Sequence, residues 1–278
     1  MSDSIHGGTD LHETSGTDNG YANVVITGAS SGLGRALALW FVRRGARVYA
    51  AARRDDLLAG LKAEAASGPG TVVPVHLDVA QTDTVESTLL KLDDDAPGGM
   101  DLVVANAGVG GMSTGEKGQW PAIENLLRVN ILGATATLTA LAPRMRERHR
   151  GHLVGVSSLA AWLVLPRFGV YGASKRYLQS YCQGLGLDLA GTGVRVTCLN
   201  PGFVKSEMTA TNRFKMPFLL ETDDAADRMG RAILRGERRY AFPWQMAWLT
   251  RLGSILPARL VSRSARRAKK DSKGRSSV

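Results

Sequence analysis

Val24-Val25-Ile26-Thr27-Gly28-Ala29-Ser30-Ser31-Gly32-Leu33-Gly34 is the stretch on which the reading of this chain turns. Three β-branched residues in a row suit a buried strand. Glycine and serine then end it, and Arg35 to Gly45 follows with Ala36, Leu37, Leu39, Trp40 and Phe41 at helical spacing. Glycines let a backbone turn tightly and approach a bulky anion, while the N–H groups and dipole of the helix start face that anion. A plain strand-to-helix turn also uses glycine, so the weight of the nucleotide reading rests on the elements at either side.

Outward from this point the pattern repeats. Arg47 to Ala51, Val72 to Leu77, Leu102 to Ala105, Leu153 to Val156, Val194 to Leu199 and Tyr240 to Phe242 read as further strands. Between them Asp55 to Ala66, Thr82 to Leu92, Trp120 to Glu147, Tyr171 to Ala190 and Asp223 to Arg235 read as helices, with Asp83 a cap for the second of these. Strand and helix in alternation predict an α/β fold, a Rossmann-type doubly wound parallel sheet covered on both faces. No linker interrupts 21–243, which reads as a single catalytic, nucleotide-binding domain. Residues 1–20 read as a polar, acidic, disordered leader, and 244–278 as an apolar helical extension with a basic tail.

Composition narrows the class. Of 278 residues, 44% are hydrophobic and 22% charged, which excludes a mainly disordered chain. Two cysteines, Cys182 and Cys198, exclude a disulfide framework and fit a reducing, cytoplasmic setting. The five histidines make no zinc pattern with cysteine or acid neighbours, so no metal site is expected. The first twenty residues lack the basic start and apolar run of a secretory signal, and no uninterrupted apolar stretch reaches the ~20 residues that span a bilayer.

The net charge of +10 is uneven. Residues 261–278 hold seven bases (Arg263, Arg266, Arg267, Lys269, Lys270, Lys273, Arg275) against Asp271, and the body is basic as well. A basic body suits an anionic ligand. The tail follows an apolar segment carrying Trp244, Trp248, Leu249 and Leu252 and interrupted at Pro257. Three readings stay open: a solvated end, a peripheral contact with an anionic membrane, or a cover for a partner subunit or the substrate cleft. No nucleic-acid reading module accompanies it, so no nucleic-acid partner is expected.

Tyr171-Gly172-Ala173-Ser174-Lys175 opens a helix, and residues four apart share a helix face. A free phenol has a pKa near ~10, and a neighbouring cation lowers it. Ser158 stands thirteen residues before Tyr171. With Gly28, Gly32 and Gly34 spaced Gly-x-x-x-Gly-x-Gly, and Asn130 in Val-Asn-Ile-Leu-Gly, this set resembles the short-chain dehydrogenase/reductase family over about 22–243.

The resemblance implies hydride transfer between a nicotinamide cofactor and a carbonyl or alcohol. Ser158 then bonds the carbonyl oxygen, and Tyr171 is the general acid/base. Lys175 lowers the phenol pKa and holds the nicotinamide ribose, while Asn130 keeps a proton relay. Ser157 is the one rival for the serine role; strand alternation sends the two to opposite faces, and the spacing favours Ser158. The family's cofactor contacts fall on Gly28, Ser30, Ser31, Gly32, Leu33, Gly34, Asp78, Val79, Asn106, Ala107, Gly108, Tyr171, Lys175, Pro201, Gly202, Val204 and Ser206, the last standing where the family usually has threonine.

Ala52 occupies the place of the acid that would bind a free ribose 2′-OH, and Arg53 follows it. A guanidinium pairs with a 2′-phosphate, so NADP(H) is the expected cofactor. Arg35 also lies near enough in sequence to lean toward that phosphate. Trp162, Leu163, Leu165 and Phe168 form one expected wall of the substrate site. A lid over Met208, Phe214, Met216, Pro217, Phe218, Leu219 and Leu220 forms the other, which suits a small hydrophobic carbonyl or alcohol. A homodimer or homotetramer built on the helices at about 120–147 and 171–190 is also implied. The competing reading is a catalytically idle NADP-binding scaffold or sensor, which has no chemical need for Asn130, Ser158, Tyr171 and Lys175 together.

Overall fold

The computed structural model describes residues 20–111, 120–164, 168–210, 212 and 215–255. Most of the expected leader, Leu165, Phe214, Pro257 and the basic tail lie outside the described residues. Seven strands form one parallel sheet: β1 (Asn23–Thr27), β2 (Arg47–Ala52), β3 (Thr71–His76), β4 (Leu102–Ala105), β5 (Gly151–Val156), β6 (Val194–Pro201) and β7 (Arg239–Phe242). Their order is β3-β2-β1-β4-β5-β6-β7. The order reverses at β1, whose Val24 pairs with Val48 on one side and Leu102 on the other. In such a sheet, ligands bind beyond the strand C-termini at this switch point.

The helices are α1 (Gly32–Val42), α2 (Asp55–Ala65), α3 (Thr82–Asp95), α4 (Trp120–Leu127), α5 (Ala134–Thr139), α6 (Ala142–Glu147), α7 (Gly169–Asp188), α8 (Glu207–Ala210), α9 (Thr222–Leu234) and α10 (Trp244–Ile255). Side chains alternate across a strand, so Val24 and Ile26 meet α1, α2 and α9, while Val25 enters the opposite core with α3, α5 and α7. Leu37 and Phe41 are fully buried, each stabilising the fold by about 1.5–3 kcal/mol relative to exposure. Gly230 of α9 lies flat on the Trp40 indole of α1, where an added Cβ would stand 2.5 Å from the ring.

Three local expectations are corrected. Trp120 to Glu147 is not one regular helix: a π turn, Arg128–Gly133, separates α4 from α5, and the chain breaks again before α6. Pro143, in the first turn of α6, has no N–H to continue the ladder. This stretch is long and apolar enough to cross a membrane, with mean hydropathy 1.3, but 56% of its most apolar window is buried in the fold. Asp83 lies inside the first turn of α3, and the capping position is Gln81, which makes no side-chain capping bond. β6 runs two residues beyond Leu199, carrying Asn200 and Pro201 to the sheet's end.

Candidate active site

The strand C-termini surround a cavity of about 750 Å³. Its floor begins at the glycine loop. Gly28 holds φ +69°, a left-handed conformation that a side chain would strain, and a Cβ there would lie 2.7 Å from Ala107 Cα. A Cβ on Gly34 would collide with Asn106 Nδ2 and the Gly28 carbonyl. Asn106 ties the two strand ends together by donating from Nδ2 to Thr27 O at 2.9 Å. Ser31 sits at the N-cap of α1 in extended conformation but makes no capping bond. Its hydroxyl accepts instead from Arg54 Nη2 at 2.7 Å. The first turn of α1 therefore keeps N–H groups for an anion, and these residues fit the pyrophosphate of a dinucleotide.

Arg53 and Arg54 at the end of β2 both line the cavity and are exposed. Arg54 spans its mouth: it also donates from Nε to Ser30 Oγ at 3.3 Å and pairs through Nη1 with Glu207 of α8 at 3.0 Å. Arg35 is paired with Glu64 instead of reaching inward. Sequence reasoning passed over Arg54; its one signal was adjacency to Arg53.

Leu77, Asp78 and Val79 also line the cavity. The Asp78 carboxylate accepts from Ala80 N at 3.0 Å, which fixes the turn after β3. Ala107 and Gly108 line the middle. Pro201, Gly202, Val204 and Ser206 lie at the end of β6, where Gly202 N donates to Phe242 O at 2.7 Å. Ser206 N donates to Thr209 Oγ1 at 3.0 Å, holding α8 against this segment.

Ser158, Tyr171 and Lys175 converge on the far wall. Ser158 caps a 3-10 turn, Leu159–Ala161, by accepting from Ala160 N at 3.1 Å. It also hydrogen-bonds the Tyr171 phenol; burial pushes that phenol above its ordinary value, and the serine bond pulls it back in part. Ser157 turns the other way and donates to the Lys175 carbonyl at 2.7 Å. Lys175 is buried, which lowers its ammonium to about 8. Its Nζ donates to Val156 O at 2.9 Å and lies 6.0 Å from the centre of the Tyr171 ring.

Asn130 is fully buried within the π turn, an irregularity often found at functional sites. It clamps Val109 by accepting from its N at 2.8 Å and donating to its O at 3.0 Å. It also donates to Ser174 Oγ at 3.1 Å. Gly108 separates it from Lys175: a Cβ on that glycine would stand 3.2 Å from Nζ and 3.5 Å from Asn130 Oδ1.

Leu163, Phe168, Met208, Pro217, Met246 and Thr250 line the same cavity. Trp162 is turned away from it, donating from Nε1 to Gln179 at 2.7 Å. Phe218 and Leu219 of the expected lid are exposed, and Leu220 packs on the core. Met246 and Thr250 bring α10 into the cavity wall, in line with the reading of this segment as a cover for the cleft, although the sequence did not single out which of its residues face inward.

Comparison with known proteins agrees with this geometry. The model of the short chain dehydrogenase family matches residues 22–216. An uncharacterized oxidoreductase of Myxococcus xanthus is 52% identical over 247 residues, covering 89% of this chain and 97% of that protein. One from Mycobacterium tuberculosis is 35% identical over 247 residues, covering 87% and 96%. Among solved structures, a short-chain dehydrogenase from Sphingobium yanoikuyae in complex with NADPH superposes with a TM-score of 0.74 at 25% identity, covering 90% of this chain and 95% of that one. A short chain dehydrogenase/reductase from Burkholderia phymatum in complex with NAD gives 0.76 at 25% identity, covering 84% and 93%. Family match, close relatives and the arrangement of the cavity agree: the chain belongs to the short-chain dehydrogenase/reductase family and is an oxidoreductase.

Proposed function

We propose that this chain is an NADP(H)-dependent reductase or dehydrogenase acting on a small hydrophobic carbonyl or alcohol. The observation that carries the proposal is the meeting of Ser158, Tyr171 and Lys175 on the wall of a cavity whose opposite end holds the glycine loop and two arginines. The cofactor, when bound, supplies the hydride. Tyr171 delivers a proton from its hydroxyl to the substrate oxygen in reduction, or takes it up in oxidation. Ser158, already bonded to that phenol, orients the same oxygen.

Lys175 is the cation that makes the phenol a usable acid and base. It also reaches the nicotinamide ribose. Asn130 holds the proton path behind it. Gly108, lacking a side chain, keeps that path open between Nζ and Oδ1. Arg53 and Arg54 beside Ala52 favour a 2′-phosphate, and they support NADP(H) over NAD(H).

Leu163, Phe168, Met208 and Met246 favour an apolar substrate. Exposed Trp120, Leu132 and Leu187 support a homodimer or homotetramer, and the free Cys182 and Cys198 support a reducing, cytoplasmic setting. An idle scaffold is disfavoured because binding alone does not require Asn130, Ser158, Tyr171 and Lys175 together.

Tyr171→Phe tests the proposal. NADPH binding, followed by fluorescence, stays near wild type, while kcat for aldehyde or ketone reduction falls about 10²–10⁴-fold. Wild-type kcat in this variant would exclude the mechanism.

A further inference from the structure

α10 presents two faces of different kinds. Met246 and Thr250 line the cavity, and Gly253 lets the helix approach Leu163, where a Cβ would stand 3.2 Å from Cδ1. Arg251 rests its guanidinium 5.5 Å from the Trp162 ring. These contacts fix the helix on the 3-10 turn after Ser158 and settle which way it is rotated.

The opposite side is apolar and open. Trp244 is 66% exposed, Trp248 63%, Leu249 54% and Leu252 58%. Positions 244, 248 and 252 are four apart, with 249 beside them, so they form one continuous stripe. A soluble helix ordinarily turns such residues inward. Here the inward side is already taken by the cavity wall.

Charge identifies the occupant. α10 carries no acidic residue, and seven bases against one acid follow in 261–278. Tryptophan and leucine beside clustered lysine and arginine match the surface of an anionic bilayer, where indoles sit at headgroup depth and bases near the phosphates.

We propose that the Trp244/Trp248/Leu249/Leu252 face of α10 docks on an anionic lipid surface, to which the net charge of +10 draws the chain. The docked helix is also a wall of the cavity, so the bilayer lies against the outer side of the substrate pocket.

Co-sedimentation with vesicles tests this, using the full chain carrying Tyr171→Phe so that turnover has no part in the readout. The probes are phosphatidylcholine vesicles with and without about a third phosphatidylserine. Expected is pelleting with the anionic vesicles only, weakened by salt. Trp248→Ser with Leu252→Ser lowers the bound fraction at least about ten-fold, and so does replacing the seven bases by glutamine, while both variants keep NADPH binding.

No pelleting with anionic vesicles overturns the proposal, as does pelleting unchanged in both variants. A shift of the stripe variant to a smaller oligomer, with lipid binding intact, would give the face to a second copy instead. None of these outcomes bears on Tyr171, whose test is the loss of kcat.

Discussion

Where the strands begin, Tyr21 donates to His152 Nδ1 at 2.5 Å, His152 Nε2 meets Thr197 Oγ1 at 2.8 Å, and Thr197 donates to Glu237 O at 2.6 Å. Where the strands finish, glycines and short side chains surround a cavity of about 750 Å³. The first end is closed by polar groups that satisfy one another. Because Thr197 spends its proton on Glu237, His152 Nε2 is the donor and Nδ1 the acceptor, which fixes one neutral tautomer. At the second end Ser31, Arg54, Tyr171 and Lys175 stand around open space. Rigidity at one end lets the other hold reactive groups in place without being packed shut. If so, substitutions at the closed end change stability and leave chemistry alone, and those at the open end do the reverse.

The largest effect is expected at Asp93. Its buried carboxylate accepts from Met100 N, Arg148 and Arg144 at 2.7–3.1 Å. Burial pushes its pKa up, but the bonds from Arg148, Met100 and Arg144 outweigh that and hold it below the usual range. Asp93→Ala leaves Arg148 and the Met100 N–H without their carboxylate, while Arg144 keeps Asp94, and lowers unfolding free energy by about 1–3 kcal/mol. Urea denaturation measures this. kcat per folded molecule stays at the wild-type value, and a parallel loss of kcat would break the division between the two ends.

Acid sharpens the contrast through His152. Burial lowers its pKa to about 3 in the fold against an ordinary 6.5. The unfolded chain therefore binds a proton that the folded chain refuses. The resulting stability is complete above pH 6.5 and declines by about 1.4 kcal/mol per unit as pH falls toward 3. Between pH 6.5 and 5, above the main carboxylate range, His152→Leu should remove that slope even though it lowers stability throughout. An unchanged slope would mean that another group governs the acid response.

Lys175 gives the corresponding signal at the open end. It is charged below about 8 and neutral above. kcat/KM for carbonyl reduction, which reports the free enzyme, is expected to be level below that point and to fall above it. In Lys175→Arg the guanidinium stays protonated, so the high-pH limb disappears although the rate is lower. A limb that survives belongs to a different residue.

The open end was the more legible of the two in the sequence, for a physical reason. A glycine loop and Tyr171 with Lys175 one helical turn apart are local patterns, because the chemistry needs neighbours along the chain. The Tyr21–His152–Thr197 chain joins residues 131 and 45 positions apart, and only the sheet register brings them together. The breaks within Trp120 to Glu147 were hidden likewise: apolar periodicity continues through the π turn, and only Asn130's hold on Val109 shows why it is there. Cys182 and Cys198, far apart in sequence, lie on α7 and β6 close enough for a side-chain hydrogen bond.

The smallest expected effect decides between two adjacent arginines. Arg54 holds Ser30, Ser31 and Glu207, and its pair with Glu207 is 45% and 64% exposed, contributing ~0–1 kcal/mol to stability at most. A 2′-phosphate would compete with the Glu207 carboxylate for that guanidinium. Glu207→Gln removes the competitor, so KM for NADPH should fall up to about five-fold with KM for NADH and Tm unchanged. Arg54→Gln should raise KM for NADPH about ten-fold or more, since a charged hydrogen bond contributes about 1.5–3 kcal/mol. If Arg53→Asp alone moves the NADPH constant, the phosphate contact belongs to Arg53 and Arg54 serves only to hold the loop to α8. If Glu207→Gln moves both cofactors equally, the pair acts on closure of α8 and has no part in choosing between them.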